Sequence, residues 1–87
     1  MNDYHPRVYG SGRDDLHPYA EPGRDYVALA GGPLDGLLLD VTGQSIEGRA
    51  GGAYLITDHG SYGPGGRADY EPRPENPDVW DWRGDVP

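Results

Sequence analysis

The sequence predicts a mainly β protein: a small antiparallel sheet or partly open barrel of three to five short strands, with long extended arms at both ends. Three observations favour this fold class. Ten of the 14 aliphatic side chains fall between Val27 and Ile56. They group into short runs of strand length. The 15 glycines and 9 prolines separate these runs with turn signals and disfavour a long helix.

The first two predicted strands form a hairpin. Tyr26–Ala30 and Leu37–Val41 alternate along the chain, so that Val27 and Leu29 share one face. Between them, Gly31–Gly36 reads Gly-Gly-Pro-Leu-Asp-Gly, in which proline and glycine supply the backbone angles of a tight turn. The pattern places Leu38 on the face away from the core. We therefore expect a tail or another subunit to cover it.

A loop and two further strands are predicted downstream. Thr42–Gly52 is rich in glycine and is expected to be a loop, with Ile46 folding back as a plug. Ala53–Asp58 is apolar and predicts a third strand, and Arg67–Glu71 alternates weakly and predicts a fourth.

The C-terminal part combines a proline-rich passage with an alternating segment. Pro72, Pro74 and Pro77 predict an extended, unpaired passage, because proline has no N–H for a sheet ladder. Asp78–Arg83 alternates and places its two tryptophans on one face. It is expected to form either a fifth strand at a sheet edge or an arm with two large anchors.

These patterns divide the chain into three parts. Residues 1–25 contain two copies of a short His-Pro and Gly-Arg-Asp pattern and are expected to form an extended arm. Residues 26–71 are expected to form the small β-domain. Residues 72–87 are expected to form the proline-rich arm or edge strand.

The net charge of −8 limits the partners. Nucleic acids and anionic membranes attract clustered cations, whereas the seven arginines here are spread along the chain, so neither partner is expected. The sequence contains no cysteine, which excludes disulfides and thiolate metal sites. No apolar stretch reaches membrane-spanning length and no signal peptide is recognised. The expected location is a virion or the host cytoplasm.

No pattern of an enzyme or cofactor site is found. Asp58, His59 and Ser61 are adjacent in sequence, but a catalytic triad normally converges from distant segments, so a loop of ordinary polar residues is expected. His5, His17 and His59 match no metal-binding spacing. The chain lacks lysine and therefore a phosphate-binding P-loop. We expect a protein without catalytic residues, metal or cofactor.

Large exposed side chains are instead the candidates for function. The predicted partner contacts are six aromatic residues and one leucine: Tyr4, Tyr9, Tyr19, Leu38, Tyr70, Trp80 and Trp82. Trp and Tyr are typical of the energetic centres of protein interfaces. For Tyr70, Trp80 and Trp82 a small core or edge cluster is the alternative interpretation.

The segment Leu29–Leu37, which contains the Gly-Gly-Pro-Leu-Asp-Gly turn, resembles small proteins encoded by actinobacteria and their tailed phages. Those proteins carry a strand, a GGP-x-DG turn and a second strand. Tyr70-Glu71-Pro72 and the Trp80-x-Trp82 pair are similar to their C-terminal parts. The resemblance implies a phage or prophage context and a small β-fold, and it carries no activity.

Together these features lead us to expect a non-enzymatic structural or interaction protein. The first hypothesis is a phage virion accessory protein, such as a capsid decoration or minor capsid component, that binds capsid subunits or itself and is part of an assembly. The alternative is a small acidic regulator or inhibitor that binds a basic surface of a host protein.

Overall fold

The computed structural model describes residues 6–10 and 18–87 and confirms the mainly β class. A 3₁₀ turn at Gly32–Leu34 and a short helix α1 at Ile46–Arg49 interrupt the strands. The strands are β1 (Tyr26–Ala30), β2 (Leu38–Asp40), β3 (Ala53–Ile56), β4 (Arg67–Arg73) and β5 (Asn76–Val86). The candidate residues Tyr4, His5 and His17 lie outside the described residues, as does most of the His-Pro repeat.

The five strands form one sheet in the order β2-β1-β5-β4-β3, which curves into a half-barrel. The sheet is mixed, not purely antiparallel as expected, because β1 and β5 run parallel. In that pair Leu29 lies opposite Trp80. The other neighbouring strands are antiparallel, including the predicted β1–β2 hairpin, in which Val27 pairs with Leu39.

The C-terminal segment is neither an arm nor an edge strand, because β5 is the central strand of the sheet. The proline-rich passage is paired: Pro72 lies opposite Trp80, and Arg73 lies opposite Asn76 at the start of β5. The β4–β5 ladder changes register between Pro72 and Arg73, and such irregularities are where a strand accommodates proline. The expected boundary at residue 72 is therefore absent, and residues 72–87 belong to the β-domain.

The buried core draws on four of the five strands, on the 3₁₀ turn and on the residue that follows β2. Its members are Val27, Leu29, Leu34, Val41, Leu55, Ala68, Tyr70 and Trp80. Leu34, not Ile46, is the apolar side chain that a connection inserts into this core. Ile46 is 85% exposed because it begins α1, whose N-cap Ser45 accepts a hydrogen bond from the Gly48 N–H. The expected plug is therefore wrong.

The N-terminal segment closes one side of the sheet. Tyr9 N–H donates to the Leu38 carbonyl at 2.7 Å, and Leu38 N–H donates to the Arg7 carbonyl at 2.8 Å, so that Arg7–Tyr9 covers the outer edge of β2. The Tyr9 hydroxyl then reaches the Ile56 carbonyl on β3 at 2.7 Å. Tyr9 thereby links the two edge strands of the half-barrel.

None of the helices among the described residues is long and apolar enough to cross a membrane.

Candidate partner-binding surface

The exposed indole of Trp82 is the candidate site with the best-defined geometry. Trp82 lies on β5 and is 40% exposed. Its ring lies against Gly32, which begins the 3₁₀ turn, and its Cβ lies near Gly31, which precedes the turn. A Cβ atom at Gly32 would lie 2.4 Å from Trp82 Cγ, and one at Gly31 would lie 3.6 Å from Trp82 Cβ. The missing side chain of Gly32 therefore leaves the space that the indole fills, whereas a Cβ at Gly31 would make only ordinary van der Waals contact.

Asp85 fixes the orientation of this indole. Trp82 Nε1–H donates to Asp85 Oδ1 at 2.9 Å. The other carboxylate oxygen, Oδ2, accepts the Ser61 N–H at 2.8 Å and thus ties the loop between β3 and β4 to β5. The hydrogen bonds from Ser61 and Trp82 lower the pKa of Asp85. Both bonds favour the ionised carboxylate, so the ring is held by a charged acceptor.

Tyr70 supports the turn from the core side. Its buried hydroxyl donates to the Gly31 carbonyl and accepts the Leu34 N–H at 3.0 Å. Asp35 closes the same turn, because its Oδ1 accepts the Gly31 N–H at 2.7 Å. The segment beneath Trp82 is therefore bonded at both ends, and a rigid support of this kind keeps the entropic cost of binding low.

The surface around the indole is acidic. Burial raises the pKa of the Tyr70 hydroxyl, and the nearby carboxylates of Asp35 and Asp85 raise it further. Asp35 Oδ1 accepts the Gly31 N–H and Asp85 Oδ1 accepts the Trp82 Nε1–H, so both carboxylates lie close to the turn beneath Trp82. We call the set Trp82, Gly31, Gly32, Asp35 and Asp85 the Trp82 platform.

The other predicted contact residues have different positions. Tyr70 and Trp80 are fully buried, so neither offers a surface to a partner, and the alternative interpretation as core residues is correct for these two. Tyr9 is half-buried against the core, and Leu38 is half-buried beside the N-terminal segment. Tyr19 is exposed, and the Arg7 guanidinium lies 5.9 Å from its ring centroid.

Sequence reasoning missed the polar half of the platform. Asp35 and Asp85 are 50 positions apart, and the fold brings Asp35 to Gly31 beneath Trp82 and Asp85 to the indole N–H itself. The sequence identifies Gly31 and Gly32 only as turn residues. The second role of Gly32, the absence of a side chain beneath Trp82, has no signature in the sequence.

A cleft lies between α1 and the β4–β5 hairpin. The cleft has a volume of about 400 Å³. Its two arginines are engaged with carboxylates: Arg49 lies 3.5 Å from Asp25, and Arg73 lies 2.8 Å from Asp81. The cleft therefore presents mainly apolar and proline surface, and its lining residues are Ile46, Arg49, Ala50, Pro72, Arg73, Pro74, Pro77 and Asp78.

The polar residues considered for catalysis or metal binding lie on the loop that follows β3. His59 Nε2 is 3.5 Å from Asp58 Oδ1, and both side chains are largely exposed. Ser61 uses its backbone N–H to hold Asp85. Within residues 6–10 and 18–87, no three His, Asp or Glu side chains converge as metal ligands would.

Comparisons with protein-family models, with curated proteins and with solved structures found no match.

Proposed function

We propose that this protein is a non-enzymatic interaction protein whose Trp82 platform binds a basic surface of a partner protein. The observation that carries the proposal is the exposed indole of Trp82, seated on Gly32 and hydrogen-bonded to Asp85. Tryptophan is strongly enriched among residues that dominate binding energy, and a preorganised ring loses little entropy when a partner covers it.

The charge of the platform indicates the chemistry of the partner. Asp35 and Asp85 are close to the turn beneath the ring, and the whole chain carries a net charge of −8. An arginine or lysine side chain stacked on the indole gains a cation–π contact of about 0.5–1 kcal/mol at an exposed site. The two carboxylates favour the same cation, so a basic surface fits better than an apolar one.

A short basic peptide provides a defined probe. The chain has two tryptophans, so its NMR spectrum has two indole N–H signals, and Trp82→Phe assigns them. Titration with a blocked tetra-arginine peptide should shift the Trp82 signal in a saturable manner and leave the buried Trp80 signal in place. Added salt should weaken the effect, because screening reduces attraction between exposed charges.

Two controls distinguish the platform from general acidity. A blocked tetra-glutamate peptide should cause no shift. Asp35→Asn should weaken the response, whereas Asp78→Asn, which removes an exposed carboxylate at the cleft, should not. If the peptide shifts signals over the whole acidic surface and spares Trp82, the proposal is wrong.

The biological setting is a separate proposal. A virion accessory protein and an inhibitor of a host protein would both use a protein-binding platform. The resemblance of the Gly31–Gly36 turn to turns in phage-encoded proteins supports the role as a virion accessory protein. This proposal requires stoichiometric amounts of the protein in purified phage particles, and its absence from them would contradict the virion assignment.

A further inference from the structure

The two edges of the sheet differ in protection. The outer edge of β2 is covered by Arg7–Tyr9 through backbone hydrogen bonds. At the other edge, β3 pairs with β4 on its inner side only, and no strand among the described residues pairs with its outer side. An open edge of this kind is a template for another strand.

The backbone of β3 directs hydrogen-bonding groups toward that open side. Thr57 N–H donates to the Gly66 carbonyl at 3.1 Å, so Thr57 faces β4. Backbone groups alternate in direction along a strand, so Leu55 also faces β4, whereas Tyr54 and Ile56 face outward. The hydrogen bond from the Tyr9 hydroxyl to the Ile56 carbonyl agrees with this assignment. A carbonyl oxygen has two lone pairs, so it can accept a second donor.

The side chains of β3 contain no feature that would block pairing. Tyr54 is 63% exposed and Ile56 is 67% exposed. The run from Ala50 to Thr57 has no charged residue and no proline, although a quarter of the chain is charged. Natural edge strands usually carry a charge, a proline or a bulge that prevents strand addition, and β3 carries no charge or proline.

We propose that the open edge of β3 pairs antiparallel with β3 of a second copy, about a two-fold axis at Leu55. In this register Tyr54 lies opposite the partner subunit's Ile56, so that their outward backbone groups can exchange hydrogen bonds. An aromatic residue opposite a β-branched residue is a favourable cross-strand pair. The two half-barrel sheets then form one continuous sheet across the axis.

The charge pattern along β3 is compatible with a second copy as the occupant. Between residues 50 and 60 the only Asp, Glu, Lys or Arg is Asp58, and the two-fold register places it opposite the partner subunit's Gly52. No like charges therefore face each other on the paired strands, despite the net charge of −8 on each copy. The register is also self-complementary, as a two-fold interface requires.

The interface is short, so the association is expected to be weak. Four strand residues bury much less area than a standard stable interface, which places the dissociation constant on the order of micromolar or above. Salt should strengthen the dimer, because it screens repulsion between two acidic copies. This is opposite to its expected effect on the Trp82 platform, so self-association and partner binding can fail independently.

Analytical ultracentrifugation of the full chain over protein concentrations from about 10 µM to about 1 mM tests the proposal, because this range brackets a weak interface. Ile56→Lys places a charge on the pairing edge and should weaken dimerisation at least about tenfold. Ile46→Lys is the matched control: it makes the same change at an exposed isoleucine on α1 and should leave dimerisation unchanged.

Circular dichroism checks that each variant is folded, and Tyr54→Lys replaces Ile56→Lys if the latter does not fold. A wild-type chain that stays monomeric across this range overturns the proposal, as does equal weakening by the two isoleucine variants. A chain that is monomeric alone but protects β3 amides when bound to a foreign peptide would show that another protein occupies the edge, which also overturns it.

Discussion

Replacing Gly32 by alanine adds a single methyl group directly beneath the ring of Trp82. The added Cβ would lie 2.4 Å from Trp82 Cγ and 2.6 Å from both Cδ atoms, well inside contact distance. Gly32 also has a backbone φ of +67°, where an L side chain is strained. The substitution therefore carries a conformational cost and a steric cost, and the steric cost falls on the platform.

The two costs can be separated by a matched control. The left-handed conformation costs about 1–2 kcal/mol for a residue with a Cβ. Overpacking adds about 1–3 kcal/mol, so Gly32→Ala should lower the free energy of unfolding by about 2–5 kcal/mol. Gly43 has a φ of +84° and nothing within 4 Å of its Cβ position. Gly43→Ala should therefore show the conformational cost alone, about 1–2 kcal/mol.

Urea unfolding followed by far-ultraviolet circular dichroism measures both values. Acrylamide quenching of tryptophan fluorescence should increase in Gly32→Ala, because the added methyl group displaces the Trp82 indole from the turn. Combining Gly32→Ala with Trp82→Ala should remove the steric part, which gives a coupling energy of about 1–3 kcal/mol in a double-mutant cycle. Equal destabilisation by Gly32→Ala and Gly43→Ala, with no coupling to Trp82, would refute this reasoning.

Three further predictions concern the support of the platform and the ion pair between Arg24 and Asp40. Gly52→Ala should lower the free energy of unfolding more than Gly32→Ala in the same urea assay. Its Cβ would lie 2.1 Å from the Tyr70 carbonyl oxygen, and sheet backbone moves less easily than a side chain. A smaller loss than that of Gly32→Ala would contradict this prediction. Tyr70→Phe should cost about 1–3 kcal/mol of unfolding free energy, because it leaves the Leu34 N–H and the Gly31 carbonyl without the hydroxyl, and an unchanged midpoint would show that water replaces it. The hydrogen bonds from Arg24 and Thr42 lower the pKa of Asp40 from 3.8 to about 2. The ionised carboxylate of Asp40 therefore stabilises the fold above about pH 4, and this contribution is lost as the pH falls toward 2. Asp40→Asn should flatten the plot of urea midpoint against pH in this window, and a plot identical to that of wild type would contradict the assignment.

The local parts of the fold could be predicted from the sequence, whereas its long-range pairing could not. The alternation of Val27 and Leu29 indicates β1, and the glycine-rich turn indicates the β1–β2 hairpin, because both signals lie within a few residues. The parallel pairing of Leu29 with Trp80 joins segments about 50 positions apart, and no local pattern specifies it. The proline signals near Pro72 therefore suggested an unpaired passage where a central ladder forms.

The candidate site divides in the same way. Trp80 and Trp82 share a strand and a period of two, so alternation predicts a common face without deciding which ring is covered. Trp80 lies opposite Leu29 and is buried, whereas Trp82 extends over Gly32 and stays partly exposed. The difference depends on what packs against each ring, and that follows from the strand order.

The most direct test of partner binding by the Trp82 platform is quantitative affinity capture from the cells that express the protein. Wild type, Trp82→Ala and Ile46→Ala are compared at low and high salt, after circular dichroism has shown that each is folded. We expect wild type and Ile46→Ala to retain a basic partner protein at low salt and to release it at high salt, and Trp82→Ala to recover little of it. Full retention of that partner by Trp82→Ala would contradict the proposed function.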